Sequence, residues 1–109
     1  AEFETVKSQY REMREAAPTV MQAFGKLHHV AMAPGTLDSK TKELIALGIG
    51  IAMRCEGCIM SHVTGAYKAG ATRAEIEEGI GVSVLMGGGP ATVYGGKAMD
   101  VARQFEPKA

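Results

Sequence analysis

The sequence predicts an all-α protein, and three observations lead to that prediction. Apolar residues recur with a helical period along almost the whole chain. No stretch alternates apolar and polar residues for long enough to predict a β-strand. Proline and glycine separate the periodic segments, for example at Pro18 and at Pro34 with Gly35. We therefore expect a fold of about six helices.

The first half of the chain contains three of the predicted helices. The first covers residues 4–17 and ends before Pro18, and the second covers residues 19–32. The third begins after an N-cap at Asp38 or Ser39, whose side chains can accept from free first-turn amides, and runs to about Arg54. Apolar residues surround nearly its whole circumference, so we expect burial on several sides. They are Leu44, Ile45, Leu47, Ile49, Ile51 and Ala52.

The second half of the chain contains the other three. The fourth begins around the cysteines and ends at Gly70, and a capping box at residues 72–75 begins the fifth. The sixth runs from near Pro90 to Phe105, after a glycine run typical of a helix connection. Glycines inside the predicted third to sixth helices each cost about 1 kcal/mol relative to alanine, so we expect close helix contacts to compensate. They are Gly48, Gly50, Gly65, Gly79 and Gly81.

Length and composition predict one compact domain over residues 1–109. The chain is 46% hydrophobic, and its 12 basic and 12 acidic residues balance without forming runs, so we expect neither nucleic acid nor an anionic membrane as a partner. The longest apolar stretch, residues 44–53, is about half of what a membrane-spanning helix needs. The first residues lack the pattern of a secretory signal, so we expect a cytoplasmic location.

A dense group of reactive side chains lies between residues 55 and 62. Cys55 and Cys58 are three residues apart and His62 follows four residues later, so one helix places all three on the same side. A helix that begins at the first cysteine favours thiolate over thiol. The imidazole of His62, one turn from Cys58, could then accept the thiol proton as a general base. This group predicts cysteine-based redox chemistry.

Glu43 is the predicted partner of that imidazole. His62 lies between apolar residues, so we expect it to be partly buried and to need a group that holds its tautomer. Glu43 opens the third helix, and a hairpin that turns near Arg54 would place it opposite His62. We expect neither a cofactor nor a bound metal. The candidate catalytic residues are therefore Glu43, Cys55, Cys58 and His62.

Two alternatives involve the same four side chains. They could bind zinc in a small assembly module without catalysis, although structural zinc sites usually take thiolates from turns and from a second, distant pair. The two cysteines could also pack as small hydrophobic residues. Outside this group, the adjacent His28 and His29 are more typical of a helix C-terminus than of a binding site.

The spacing of the four residues resembles a known signature. Glu43, eleven residues, Cys55-x-x-Cys58, three residues and then His62 is similar to the signature of the alkylhydroperoxidase D branch of the carboxymuconolactone decarboxylase family. The flanking pattern from residue 38 to residue 76 is similar to that family as well.

The resemblance implies an all-helical fold, assembled into homo-trimers or homo-hexamers, whose cysteine pair cycles between dithiol and disulfide. In that scheme Cys58 becomes a sulfenic acid, Cys55 donates a proton and resolves it, and Glu43 with His62 relays protons. The implied function is that of a thiol-dependent peroxidase or thiol-disulfide oxidoreductase, which acts on a small hydroperoxide or disulfide substrate and is recharged by a separate dithiol reductant protein. A non-redox decarboxylase or lyase on the same fold is the alternative, although the decarboxylases proper usually lack the cysteine pair.

Overall fold

The structure, a computed structural model, describes residues 2–108, with side chains from Glu4 onward. Its described residues form six α-helices and no strand, so the predicted all-α fold is confirmed. None of these helices combines the length and the apolar character required to cross a membrane. The helices are α1 (Glu2–Ala16), α2 (Pro18–Met32), α3 (Ser39–Ala52), α4 (Glu56–Lys68), α5 (Arg73–Gly87) and α6 (Gly89–Gln104).

The chain divides into two compact units, Ala1–Ala33 and Pro34–Ala109. The first contains α1 and α2, which contact each other. Pro18 is the first residue of α2, a position that suits proline because an amide there has no acceptor within the helix. No residue of α2, a helix described along its whole length, is buried. The second unit contains α3 to α6 and the core, and the single domain stays a prediction.

Side-chain caps begin α3 and α5, as the sequence predicts. A carboxylate oxygen of Asp38 accepts from the amide of Thr41 at 2.8 Å. The hydroxyl of Thr72 accepts from the amide of Glu75 at 3.1 Å, while the Glu75 carboxylate accepts from the amide of Thr72 at 2.9 Å. These contacts satisfy amides at the helix start that lack acceptors within the helix. The predicted starts of both helices are therefore confirmed.

The core of the second unit lies among α3, α4, α5 and α6. The first three of these helices contribute branched aliphatic side chains, each of which stabilises the fold by about 1.5–3 kcal/mol when fully buried. By contrast, α6 contributes small residues that let it approach α5: a Cβ atom on Gly95 would lie 3.2 Å from Cγ2 of Ile80. The most deeply buried members are Leu47, Ile51, Ile59, Val63, Ala66, Ile76, Ile80, Ala91, Ala98 and Ala102.

The predicted burial of α3 on several sides is wrong for the single chain. Leu47 and Ile51 are buried, but Ile45 is 49% exposed and Ile49 is 54% exposed. The helices that contact α3 cover the side that carries the first pair and leave the second pair at the surface. Assembly into an oligomer stays a prediction.

A tight turn joins α3 to α4. The amide of Arg54 donates to the carbonyl of Ile51 at 3.0 Å, and the amide of Cys55 donates to the carbonyl of Gly50 at 2.9 Å. These two bonds form the Schellman pattern that ends many helices. Its turning residue is usually glycine, but here it is Arg54, with a φ of 59°. The turn brings the chain directly into the cysteine segment.

The turn after α4 has the same pattern. The amide of Gly70 donates to the carbonyl of Tyr67 at 3.0 Å, and the amide of Ala71 donates to the carbonyl of Ala66 at 2.9 Å. Gly70 has a φ of 97°, in the left-handed region that glycine adopts readily. The helix therefore ends at Lys68, two residues before the predicted end at Gly70.

Candidate functional site

The two cysteines lie at the start of α4. Cys55 is the N-cap residue, and it forms a disulfide with Cys58, whose Cα atom is 5.2 Å away. The Sγ atom of Cys55 accepts from the amide of Cys58 at 3.1 Å, so sulfur takes the position that an oxygen usually holds at an N-cap. Both residues are half-buried. Once the bond is reduced, the positive end of the helix dipole favours the thiolate form.

Gly50 lets the cysteine segment lie directly against α3. Its carbonyl accepts from the amide of Cys55, and a Cβ atom on Gly50 would lie 3.0 Å from the Cβ atom of Cys58. That separation is tighter than nine in ten real Cβ contacts. A side chain at Gly50 would therefore push on Cys58. The close helix contact predicted for this glycine is confirmed.

His62 and Glu43 meet where α4 faces α3. The Nδ1 atom of His62 lies 2.7 Å from Oε1 of Glu43, and the two side chains are 16% and 12% exposed. In the tautomer with its hydrogen on Nδ1, the imidazole donates to the carboxylate, and Nε2 is then able to accept a proton. The partial burial of His62 and its predicted contact with Glu43 are confirmed. Their role in catalysis stays a prediction.

Gly65 lies beside the same carboxylate. It follows His62 by three residues on α4, and a Cβ atom placed on it would lie 2.5 Å from Oε2, 2.6 Å from Cδ and 2.7 Å from Oε1 of Glu43. The carboxylate thus occupies the space that a side chain at residue 65 would fill. The sequence marks Gly65 only as an unfavourable helix glycine, and its position one turn after His62 is the signal for a role at the site.

Close contacts do not explain the other three helix glycines. A Cβ atom on Gly79 would make an ordinary contact of 3.8 Å with Cδ2 of Leu44. At Gly48 and Gly81, a Cβ atom would meet no described atom within 4 Å beyond its own helix backbone and chain neighbours. The expected close contact is therefore wrong at these three positions: Gly79 has only an ordinary packing contact, and the neighbouring helices leave open space at Gly48 and Gly81.

An ion pair links the cysteine segment to α6. The Nζ atom of Lys97 lies 3.6 Å from Oε1 of Glu56, which follows Cys55, and 5.8 Å from the centre of the Tyr94 ring. Both charged side chains are exposed enough that the pair contributes at most about 1 kcal/mol to stability. Its local effect is to offset the negative charge of Glu56 beside the cysteines. Sequence reasoning missed Lys97 because no local pattern connects it with residue 56.

Among the side chains that the structure describes, from Glu4 to Lys108, no three of His, Cys, Asp or Glu are grouped so that they could hold a metal ion. In the disulfide form, the sulfur atoms of Cys55 and Cys58 are bonded to each other. His28 and His29 are exposed residues of α2, in the first unit, whereas the candidate site belongs to the second.

Comparisons with known proteins identify relatives that match most of the chain. The family model of the carboxymuconolactone decarboxylase family matches residues 18–103. An uncharacterized protein from Cupriavidus necator is 32% identical over 94 residues, which cover 86% of this chain and 83% of that protein.

Two solved structures have a similar fold. A carboxymuconolactone decarboxylase family protein from Legionella pneumophila superposes with a TM-score of 0.86 and is 38% identical, with 95% of this chain and 93% of that chain covered. A protein of the same family from Thermotoga maritima, with a suggested involvement in an antioxidative response, gives a TM-score of 0.80 at 26% identity, with 95% and 89% covered.

Proposed function

The chain belongs to the carboxymuconolactone decarboxylase family, and on that premise we propose that it is a thiol-dependent peroxidase or thiol-disulfide oxidoreductase of the alkylhydroperoxidase D branch. The observation that carries the proposal is the Cys55–Cys58 disulfide at the start of α4, one turn before an imidazole that contacts Glu43. The antioxidative involvement suggested for the Thermotoga maritima protein supports it.

In the oxidative half of the proposed cycle, the pair starts as two thiols. The thiolate of Cys58 attacks the distal oxygen of a hydroperoxide, so that an S–O bond forms while the O–O bond breaks and the remainder leaves as an alcohol after taking a proton. Cys58 is then a sulfenic acid. Cys55 then loses its thiol proton and its sulfur attacks that of Cys58, so that an S–S bond forms, the S–O bond breaks and the hydroxide leaves as water with that proton. The product is the disulfide of the structure.

In the oxidative half, His62 transfers the proton of Cys58 with support from Glu43. The Nε2 atom of His62 accepts the proton of the Cys58 thiol and returns it to the departing alkoxide. The Glu43 carboxylate, 2.7 Å from Nδ1, orients the ring and stabilises the imidazolium while it carries the proton. The low exposure of both side chains strengthens this pairing, because less water competes for either charge.

The reductive half requires a separate dithiol protein. One donor thiolate attacks a sulfur of the half-buried pair and forms a mixed disulfide, and the second donor thiol then attacks the donor sulfur. The donor leaves as a disulfide, and Cys55 and Cys58 return to thiols. With a small disulfide as substrate, the reduced pair performs the same exchange in the other direction.

The cysteines supply the direct test. Cys58→Ser should abolish consumption of tert-butyl hydroperoxide with dithiothreitol as reductant and leave the fold intact, because serine is nearly isosteric but cannot form a sulfenic acid. Cys55→Ser, reduced and then freed of dithiothreitol before peroxide is added, should be oxidised once and then stall, since it lacks the resolving thiol. Mass spectrometry should find a sulfenic acid or a mixed disulfide at Cys58.

The two serine variants also serve as controls for each other. Unchanged turnover in Cys58→Ser would remove the proposed function. A sulfenic acid found at Cys55 in Cys58→Ser, with none at Cys58 in Cys55→Ser, would reverse the two roles.

A further inference from the structure

We propose that Gly65 is a positioning residue of this site, because its missing side chain leaves the space in which the Glu43 carboxylate meets His62. The inference rests on the proposed function, since it concerns the same proton relay. It adds a residue on α4 that neither touches the cysteines nor titrates.

The geometry at Gly65 carries the inference. The Glu43 carboxylate is 2.7 Å from Nδ1 of His62, and all three of its terminal atoms lie within 2.7 Å of where a Cβ atom on Gly65 would be. Real Cβ atoms essentially never show contacts shorter than 3.0 Å. A side chain at residue 65 and the observed carboxylate position are therefore incompatible.

The carboxylate is the group that would move. It is the far end of a flexible side chain, whereas the Cβ atom at residue 65 is held by the backbone of α4. Rotation of Glu43 away from residue 65 relieves the overlap and changes its position relative to His62. The effect of a side chain at Gly65 therefore falls on the contact between Glu43 and His62 more than on the core.

A second glycine, Gly50, makes a similar close approach where α3 contacts α4. Gly50, on α3, lies against Cys58 of α4, while Gly65, on α4, lies against Glu43 of α3. Each glycine accommodates a proposed catalytic residue of the facing helix. Gly48, on the same helix as Gly50, has open space at its Cβ position, so the close approach to a candidate catalytic residue does not follow from glycine content alone.

The test is a double-mutant cycle. Gly65→Ala should lower peroxide turnover by about 10- to 100-fold, the range expected when a partner of the acid-base residue is lost. Alkylation of the reduced protein by iodoacetamide at neutral pH should slow by about 3- to 10-fold, because the thiolate loses support. In a Glu43→Ala background, Gly65→Ala should change neither rate further, because the two positions act through one contact.

Thermal stability is a second measurement, and the effect of Gly65→Ala on it should depend on whether Glu43 is present. In the Glu43→Ala background the new Cβ atom meets no carboxylate, so Gly65→Ala should raise the midpoint of thermal unfolding through its better helix propensity. With Glu43 in place, the same substitution should raise it less or lower it. Gly48→Ala, an open position on α3, is the matched control and should leave turnover and alkylation unchanged.

Unchanged turnover and alkylation in Gly65→Ala would overturn the inference, as would equal losses in both backgrounds. If Gly65→Ala does not fold, a folded Glu43→Ala/Gly65→Ala variant supports the contact and an unfolded one overturns it. If the unmodified protein turns over neither peroxide nor disulfide, the proposed function fails separately. The alkylation rates of the four proteins then decide the role of Gly65: coupled effects support it and additive effects overturn it.

Discussion

The two ends of α4 are formed by the same pattern of backbone hydrogen bonds but by different turning residues. Gly70 turns the chain after the helix and Arg54 turns it before the helix, with φ values of 97° and 59°. Glycine adopts the left-handed region freely, whereas for arginine that region costs about 1–2 kcal/mol. The unfavourable conformation thus lies directly before Cys55, and such conformations tend to cluster at functional sites.

The comparison extends to the side chains at each end. The N-terminal end carries the two half-buried cysteines, and His62 lies one turn further along the helix. The C-terminal end carries Tyr67, whose hydroxyl donates to the carbonyl of Ala102 at 2.6 Å in a buried contact. We infer that one end of α4 serves chemistry and the other serves stability, and three substitutions test this division.

The largest expected effect is at Tyr67. Tyr67→Phe should lower the free energy of unfolding by about 1–3 kcal/mol, because the carbonyl of Ala102, in the last turn of α6, loses its donor. Urea unfolding of the oxidised protein measures the change, and peroxide turnover should be unaffected. Tyr10→Phe, at a half-exposed position of α1, is the matched control and should change stability by less than about 0.5 kcal/mol. Equal losses in both variants would contradict the anchoring role.

The same substitution has a pH signature. Burial, together with the charge of Glu106, raises the pKa of Tyr67 above its ordinary value of 10.0. The folded protein holds the hydroxyl proton of Tyr67 more tightly than the unfolded chain does. The stability that this difference provides is therefore fully present below about pH 10 and is lost as pH rises through the raised pKa. Above about pH 10, the unmodified protein should therefore lose stability more steeply than Tyr67→Phe.

The second substitution tests the turn after α4. Gly70→Ala should lower the free energy of unfolding by about 1–2 kcal/mol, because the left-handed backbone conformation at residue 70 is unfavourable for alanine but not for glycine. Gly96→Ala is the control: no described atom lies within 4 Å of its Cβ position beyond its own helix and neighbours, so it should raise stability. A loss at Gly96 equal to that at Gly70 would show that the turn is not the cause.

The smallest expected effect is at Arg54. Arg54→Gly should raise the free energy of unfolding by about 0.5–1 kcal/mol. Glycine removes the backbone strain of the left-handed conformation, about 1–2 kcal/mol, and this gain exceeds the loss of about 0.4–1 kcal/mol that comes from the greater conformational entropy of the unfolded chain. Arg54→Ala retains a Cβ atom and should stay within about 0.5 kcal/mol of the unmodified protein. Denaturant unfolding of both variants compares them. A less stable Arg54→Gly would mean that the two ends of α4 do not differ in strain.

Much of the helical framework was predictable because it depends on residues close in sequence. Asp38 and Thr72 are followed by the amides that they cap, three residues later. Cys55, Cys58 and His62 share one face because the helical repeat acts within a single segment. Their arrangement along α4 follows from spacing, and the start of the helix follows from a local hydrogen bond to sulfur.

Burial was predicted less well. Ile45 and Ile49 have the same apolar character as Leu47 and Ile51, yet only the second pair is covered by neighbouring helices. A periodic pattern shows which residues are apolar, but the number and placement of the packed helices decide which of them leave water. Gly48 and Gly81 show the same limit, since their sequence context does not reveal that the space around them is open.

The six helices and the placement of Cys55, Cys58 and His62 along α4 were predictable from the sequence, because propensity, capping and the helical repeat act over a few residues. Tertiary packing brings Glu43 and His62, 19 residues apart, to within 2.7 Å of each other. It also decided that the carboxylate fills the space left by Gly65, and that Arg54 adopts a positive φ before the cysteines. These features depend on how closely α3 and α4 approach and on where the chain must turn between them, and both are settled by packing.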